Sequence, residues 1–339
     1  MSDLEYGYVC TRVKAMETRL LSRKQMADLY GVSSLPEMTV MLQETTYRDA
    51  LVRASQKHEG IELLLVGLQD AWLDTLRTIE RIIPKRAKPA LDVLLREWEV
   101  QDVKTICAKK ALGQPLTLDE LTLATDSSRK LCERLVEQKD WAALVGVLKL
   151  SDYYGDAIRA DEKRIVEQQD FRRLSQALDR AYAQQISDVI KGKDHPNTRA
   201  LLTLRQEFVQ SMIVLRLKSY ATGAEIEKEL FGNPSPKVQA LLDAANLDDA
   251  IALLELPEEA VAAYKSKPSL STIELALEKQ FVQGVLRKFR ASVLNFGVII
   301  GYLYLKSAEI ANLKRLALGK YFGVEEQFKP FLVGDVNAA

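Results

Sequence analysis

Apolar residues recur along nearly the whole chain at steps of three and four, a spacing that admits helices and little else. Ile61, Leu64, Leu65, Leu68, Trp72, Leu76, Ile79 and Ile83 make one stripe on a long helix. Pro84-Lys85-Arg86-Ala87-Lys88-Pro89 ends it, because proline withholds a backbone donor and disfavours helix in the residue before it. Leu91, Leu94, Leu95, Trp98 and Ile106 then share one face of a return helix, which Gly113-Gln114-Pro115 stops. The plan repeats. Asp152 to Ile190 reads as one long, highly charged helix with Ile158, Ile165, Leu174, Leu178 and Ile186 at its apolar positions, and Leu201 to Tyr220 as its return. A third pair runs from Pro268-Ser269-Leu270-Ser271 to about Leu294, and from Val298 to about Gly319.

Overlaying these pieces exposes a repeat, which constrains the fold more than any local propensity. Hairpins at 61–113, 152–222 and 269–319 begin alike, with Ile61-Glu62, Leu174-Ser175 and Ile273-Glu274 ahead of Leu65, Leu178 and Leu277. The first two are followed by short helices that close near Ala143-Leu144 and Ala250-Ile251. The N-terminus offers the matching pieces for the third, at Leu35 to Leu42 and Tyr47-Arg48-Asp49-Ala50-Leu51. Val9 to Ala50, Val103 to Ala143 and Val209 to Ala250 are near-equal steps. The expected organisation is all-α, in three related helical units: 1–60 together with 266–339, then 61–151, then 152–265. Such units close into a three-part ring or stack as a solenoid.

Composition removes several function classes. Lys plus Arg and Asp plus Glu both number 47 among 339 residues. That balance argues against a nucleic-acid protein held by a global positive field. The three cysteines, Cys10, Cys107 and Cys132, are far apart and form no C-x-x-C, which reads as reduced core thiols. His58 and His195 sit in polar stretches expected at helix ends or loops, and nothing in the spacing of His and Cys suits zinc. Met1-Ser2-Asp3-Leu4-Glu5-Tyr6 lacks the pattern of a signal peptide. The most apolar run, Ala291 to Leu305, falls short of the roughly 20 residues a spanning helix needs. A buried helix pair turning near Asn295-Phe296-Gly297 fits it better.

Catalytic constellations are missing from the pattern. There is no phosphate loop, no G-x-S-x-G elbow and no His-Glu-x-x-His. The paired acids Asp248-Asp249, Glu258-Glu259 and Glu325-Glu326 read as helix first turns, where the dipole favours negative charge. No catalytic residue, cofactor or metal site is expected. One pattern is less ordinary: each return helix carries a polar residue on its apolar seam. Asp102 lies one turn after Trp98 and one before Ile106, Asn312 lies between Ala308 and Leu316, and Ser211 falls at the corresponding place one turn before Leu215. A polar group on a seam costs a few kcal/mol unless something hydrogen-bonds it. It therefore meets either a neighbouring helix or a partner lodged in a shared groove.

These stretches also carry a family likeness. Glu309-Ile310-x-Asn312-Leu313-Lys314-x-Leu316-x-x-Gly319-Lys320 is similar to the C-terminal motif of the C subunit of the A-type (V-type) ATP synthases, a family that includes the d subunit of the vacuolar ATPase. Tyr6-Gly7-Tyr8-Val9-x-x-Arg12-Val13-Lys14-Ala15 resembles its opening, Glu97-Trp98-Glu99-Val100-x-Asp102-Val103-Lys104-Thr105-Ile106 its second-unit stretch, and Leu178-Asp179-Arg180-x-Tyr182 its middle long helix. The middle return helix, Phe208-Val209-Gln210-Ser211-Met212, departs by lacking the acid and the Asn of Asn312's motif. The resemblance implies a funnel of three similar helical domains around a pseudo-threefold axis. It implies a non-catalytic socket in the central rotor stalk, between the D and F subunits of the shaft and the membrane proteolipid ring, with no transmembrane segment of its own. By motif position it places Arg12, Lys14, Asp102, Lys104, Asn312, Lys314 and Arg315 toward the axis as partner contacts. A helical-repeat adaptor for an unrelated complex is the other reading of the same units.

Overall fold

The computed structural model describes residues 4–191, 196–231, 234–324 and 326. All regular structure among them is helical, and none of their helices is long and apolar enough to cross a membrane. The chain opens with α1 (Leu4–Glu17), the short α2 (Arg23–Gly31), α3 (Leu35–Gln43) and α4 (Arg48–Ala54), and the long α5 (Gly60–Ile82). The long α6 (Lys88–Ala111) leads through α7 (Asp126–Val136), α8 (Trp141–Lys149), α9 (Gly155–Arg159) and α10 (Glu162–Glu167) to the long α11 (Phe171–Lys191). The long α12 (Pro196–Leu217) leads through α13 (Gly223–Glu227), α14 (Pro236–Asp243), α15 (Leu247–Ala252) and α16 (Glu258–Ser266) to the long α17 (Leu270–Ala291), and α18 (Phe296–Phe322) follows.

Local chemistry sets the short helices. Ser22, Ser34, Thr125, Asp140, Ser235 and Asn246 each accept a hydrogen bond from a first-turn N–H of α2, α3, α7, α8, α14 and α15 in turn. Each cap stabilises its helix by about 1 kcal/mol. Asp248-Asp249 and Glu258-Glu259 do occupy first turns. Glu325 and His195 lie outside the described residues, as does most of the turn at 192–197.

Two compact units emerge from the packing: Met1–Pro84 with Asp194–Glu227 and Pro234–Ala339, and Lys85–Lys193 with Lys228–Asn233. In the first, α18 packs on both α1 and α5, so the first and last helices share one core, and α12 packs on α17. In the second, α6 packs on α11 over a cluster that includes Val103, Ile106, Leu144, Ile158, Ile165 and Leu174. The single charged helix expected over 152–190 is broken into α9, α10 and α11. The breaks are tertiary in origin. They bring Ile158, Ile165, Leu174 and Leu178 onto that one cluster, and Gln169 turns the chain with φ +49 before Asp170 caps Arg173 N at 3.1 Å.

All three cysteines are buried and free. Burial pushes the Cys10 thiol up to about 11 and Cys107 up to about 12, and raises Cys132 as well. The reactive species is the thiolate. Native protein at pH 8 is therefore expected to leave all three unmodified by a disulfide reagent over the time in which urea-unfolded protein titrates all three. Fast reaction of one thiol in native protein would contradict this packing.

Candidate functional site

The polar chemistry of the interior gathers on the long helices α6 and α18, around two buried carboxylates. On α18, Glu309 accepts from the Tyr47 hydroxyl at 2.6 Å and from the backbone N–H of Leu21. Lys306, one turn earlier, donates at 2.8 Å to both Glu309 and the Tyr47 oxygen, and its ammonium lies 4.1 Å from the Tyr47 ring centre. On α6, Glu99 accepts from the Tyr154 hydroxyl at 2.5 Å and from Ser128 Oγ at 2.6 Å. Arg96, again one turn earlier, stacks over Tyr153, its guanidinium 3.0 Å from the ring centre. Burial, then the charge of the neighbouring glutamate, raises the pKa of Tyr47 and of Tyr154, so both phenols stay protonated and donate.

The same helices end alike. Lys110 at the end of α6 donates to Val136 O at 2.6 Å and Gln138 O at 2.5 Å, capping α7. Lys320 on α18 donates to Tyr30 O at 2.8 Å and Val32 O at 2.5 Å, capping α2. Lys218, just past α12, donates to Leu242 O and caps α14. Helix C-termini leave carbonyls unpaired and carry partial negative charge, so an ammonium suits them. Counting back from the three lysines aligns Asp102 and Asn312 with Gln210, not with Ser211, and aligns Glu99 and Glu309 with Glu207. Burial agrees: Gln210, Ser211, Val214 and Leu215 match the buried Asp102, Val103, Ile106 and Cys107. The stretch Phe208–Met212 indeed holds neither the acid nor the Asn of Asn312's motif, but the aligned positions on α12 carry the acid Glu207 just before it and the amide Gln210 in place of the Asn, one residue out of the register that the apolar pattern suggested.

The seven residues carried over by motif position fall into two groups. Six are engaged inside the fold. Asp102 accepts from the backbone of Thr122 at 2.7 Å and Leu123 at 2.8 Å, and burial raises its pKa despite those bonds. Lys104 holds both oxygens of Asp179 on α11 at 2.6 Å. Lys14 donates to Phe289 O at 2.9 Å and sits 3.7 Å over that ring. Lys314 donates to Gln69 on α5 at 2.7 Å, and Arg315 pairs with Glu278 at 2.6 Å. Asn312 takes a long 3.4 Å contact from Arg315, and its Nδ2 is buried with no hydrogen-bond partner among the described residues. Arg12 is the exposed member of the seven, bonded to Tyr8 within its own helix.

Arg12 lines a cleft of about 550 Å³ with Arg19, Thr46, Asp49, Asp74 and Lys306. Its walls carry both charge signs. Asp74 is paired with Arg53 and Arg77 outside it. Among the described residues, no group of His, Cys, Asp and Glu is arranged to hold a metal ion. What sequence reasoning missed was the pairing of Glu99 and Glu309 with tyrosines. The available signal was a cation one turn before the acid and a polar residue one turn after it, written twice.

This chain of helices with paired polar anchors, the first and last of them packed in one core, is similar in sequence to known proteins of one family. The family model for the ATP synthase (C/AC39) subunit matches residues 9–328, so the chain belongs to that family. Among its relatives is the A-type ATP synthase C subunit of Thermococcus onnurineus, 25% identical over 97% of this chain and 90% of the relative. The proteins of the same name from Pyrococcus furiosus and Methanocaldococcus jannaschii are 24% and 23% identical, over 92% and 96% of this chain and 85% and 84% of theirs.

Proposed function

We propose that this protein is the C subunit of its organism's A-type ATP synthase and works as a non-catalytic socket in the central stalk. It joins the soluble shaft, made of the D and F subunits, to the proteolipid ring on the cytoplasmic side of the membrane. The observation that carries the reading is the family match over residues 9–328 together with near full-length relatives of that name. Torque transmission needs a stiff body, and long helices tied by the Lys104–Asp179 and Arg315–Glu278 ion pairs, the buried tyrosine–glutamate bonds and the lysine caps supply stiffness. Reversible docking needs contacts that tolerate water, and the mixed-sign cleft around Arg12 and Arg19 offers them. In this reading Arg12 touches a partner directly. Lys14, Asp102, Lys104, Lys314 and Arg315 hold the surrounding helices in shape, and Asn312 lies buried beside Arg315 on the same helix. The three lysine caps and the three aligned acids favour three related units set around a pseudo-threefold axis as a funnel.

A photo-crosslinker placed at Arg12, activated in native membranes, tests this. The expected products are covalent adducts with rotary ATPase subunits, shaft or ring, identified by mass spectrometry. Adducts that contain no component of the ATPase would favour the unrelated-adaptor reading instead.

A further inference from the structure

Glu207 is the one acid of the three aligned positions that no described residue clasps. Glu99 and Glu309 each take a tyrosine hydroxyl, from Tyr154 and Tyr47, the residues that precede α9 and α4. These two helices pack on α11 and α5, as α16 packs on α17, so α16 is their counterpart in the third run. The residue before α16 is Pro257, which has no hydroxyl. The cation one turn ahead of the acid is also replaced, since Leu204 stands where Arg96 and Lys306 stand. Glu207 makes no hydrogen bond or ion pair with the described residues. It lines instead a pocket of about 330 Å³ between α12 and α17, floored by Leu204, Phe208, Leu277 and Phe281. Lys237, Glu255 and Arg287 bring further charge to the pocket, none of it in an ion pair with Glu207.

From this the structure assigns a binding pocket for a tyrosine side chain supplied by another polypeptide. The apolar floor takes the ring, and Glu207 accepts the phenolic proton donor. In the two clasped copies that bond comes from within the chain, and in the third the acceptor and the ring-sized space are present without the donor. The volume exceeds that of one aromatic side chain and falls within the usual range of ligand sites. The assignment does not depend on the stalk reading.

The test uses the full chain with isotope-labelled leucine methyls, titrated with N-acetyl-tyrosinamide and, in parallel, N-acetyl-phenylalaninamide. Saturable shifts are expected at Leu204, Leu254 and Leu277, with the phenylalanine probe about tenfold weaker, the worth of one charge-assisted hydrogen bond. Glu207→Ala should erase that preference, since alanine offers the phenol no acceptor, while leaving the methyl spectrum elsewhere unchanged, because Glu207 is half-buried and holds nothing in place. No shift up to the solubility of the probe would overturn the assignment. So would equal binding of both probes, or a preference that survives in Glu207→Ala.

Discussion

Glu309→Ala should destabilise the protein by about 4 kcal/mol, the typical penalty for removing one partner of a buried ion pair. Three groups lose an acceptor at once: the Lys306 ammonium, which keeps only the Tyr47 oxygen, the Tyr47 hydroxyl and the Leu21 N–H. Both charged side chains are almost wholly shielded, at 6% and 3% exposure, so water cannot replace the lost partner. The damage should be local first. Hydrogen exchange is expected to quicken at the start of α2 and at α4, which carry Leu21 and Tyr47 at their entries, before the rest of the chain responds. Lys306→Met combined with Glu309→Leu should recover roughly half of the loss, because the uncompensated charge is gone while Tyr47 and Leu21 stay unpaired. Glu274, paired with Arg216 on an exposed face, gives the contrast: Glu274→Ala should stay within about 0.5 kcal/mol. Urea denaturation of these variants beside the wild type measures all of this. Equal losses for Glu274→Ala and Glu309→Ala would mean that the buried cluster contributes no more than surface charge.

Much of this architecture was legible from residue spacing, for reasons that differ between elements. The stripe on α5 and the Asp140 cap on α8 are local, so periodicity and capping chemistry reveal them directly. Helix α18 is buried almost all round and shows no stripe, yet its apolar length with glycine and asparagine interruptions still marked it as an interior helix. The charged stretch over 152–190 misled because it holds no proline and no strong breaker after its first residues. The breaks at α9, α10 and α11 come from where Ile158, Ile165 and Leu174 must be buried, a demand that no local propensity encodes. The register of α12 slipped by one residue for a related reason. Apolar neighbours such as Leu215 fit Ser211 and Gln210 almost equally, and both are buried. The Lys218 cap on a carbonyl of α14 separates them, and a backbone carbonyl carries no mark in sequence. The seam residues followed the same logic. Their presence was readable, but whether each met a neighbouring helix or a partner was not. Asp102 turned out to meet Thr122 and Leu123, in a loop whose Leu123 sits at φ +48.

Gly301 carries the second large effect, and its role is packing rather than turning. It lies in α18, where it lets α17 approach closely. A Cβ built there would stand 2.9 Å from Phe289 Cβ and Cδ2, closer than carbon atoms can pack. Phe289 cannot withdraw easily. It is fully buried, its carbonyl accepts from Lys14 and its ring lies under the same ammonium. Gly301→Val should therefore cost about 3 kcal/mol through overpacking. Gly301→Ala should cost less, because alanine's better helix propensity returns up to about 1 kcal/mol. The strain runs through one ring, so a smaller side chain at 289 should relieve it. Phe289→Leu alone loses core volume, yet in combination with Gly301→Val it should be closer to wild type than the sum of the two single losses, by about 1 kcal/mol or more. A double-mutant cycle in urea gives that coupling energy. Strict additivity would show that the crossing of α17 and α18 does not depend on the missing side chain at 301.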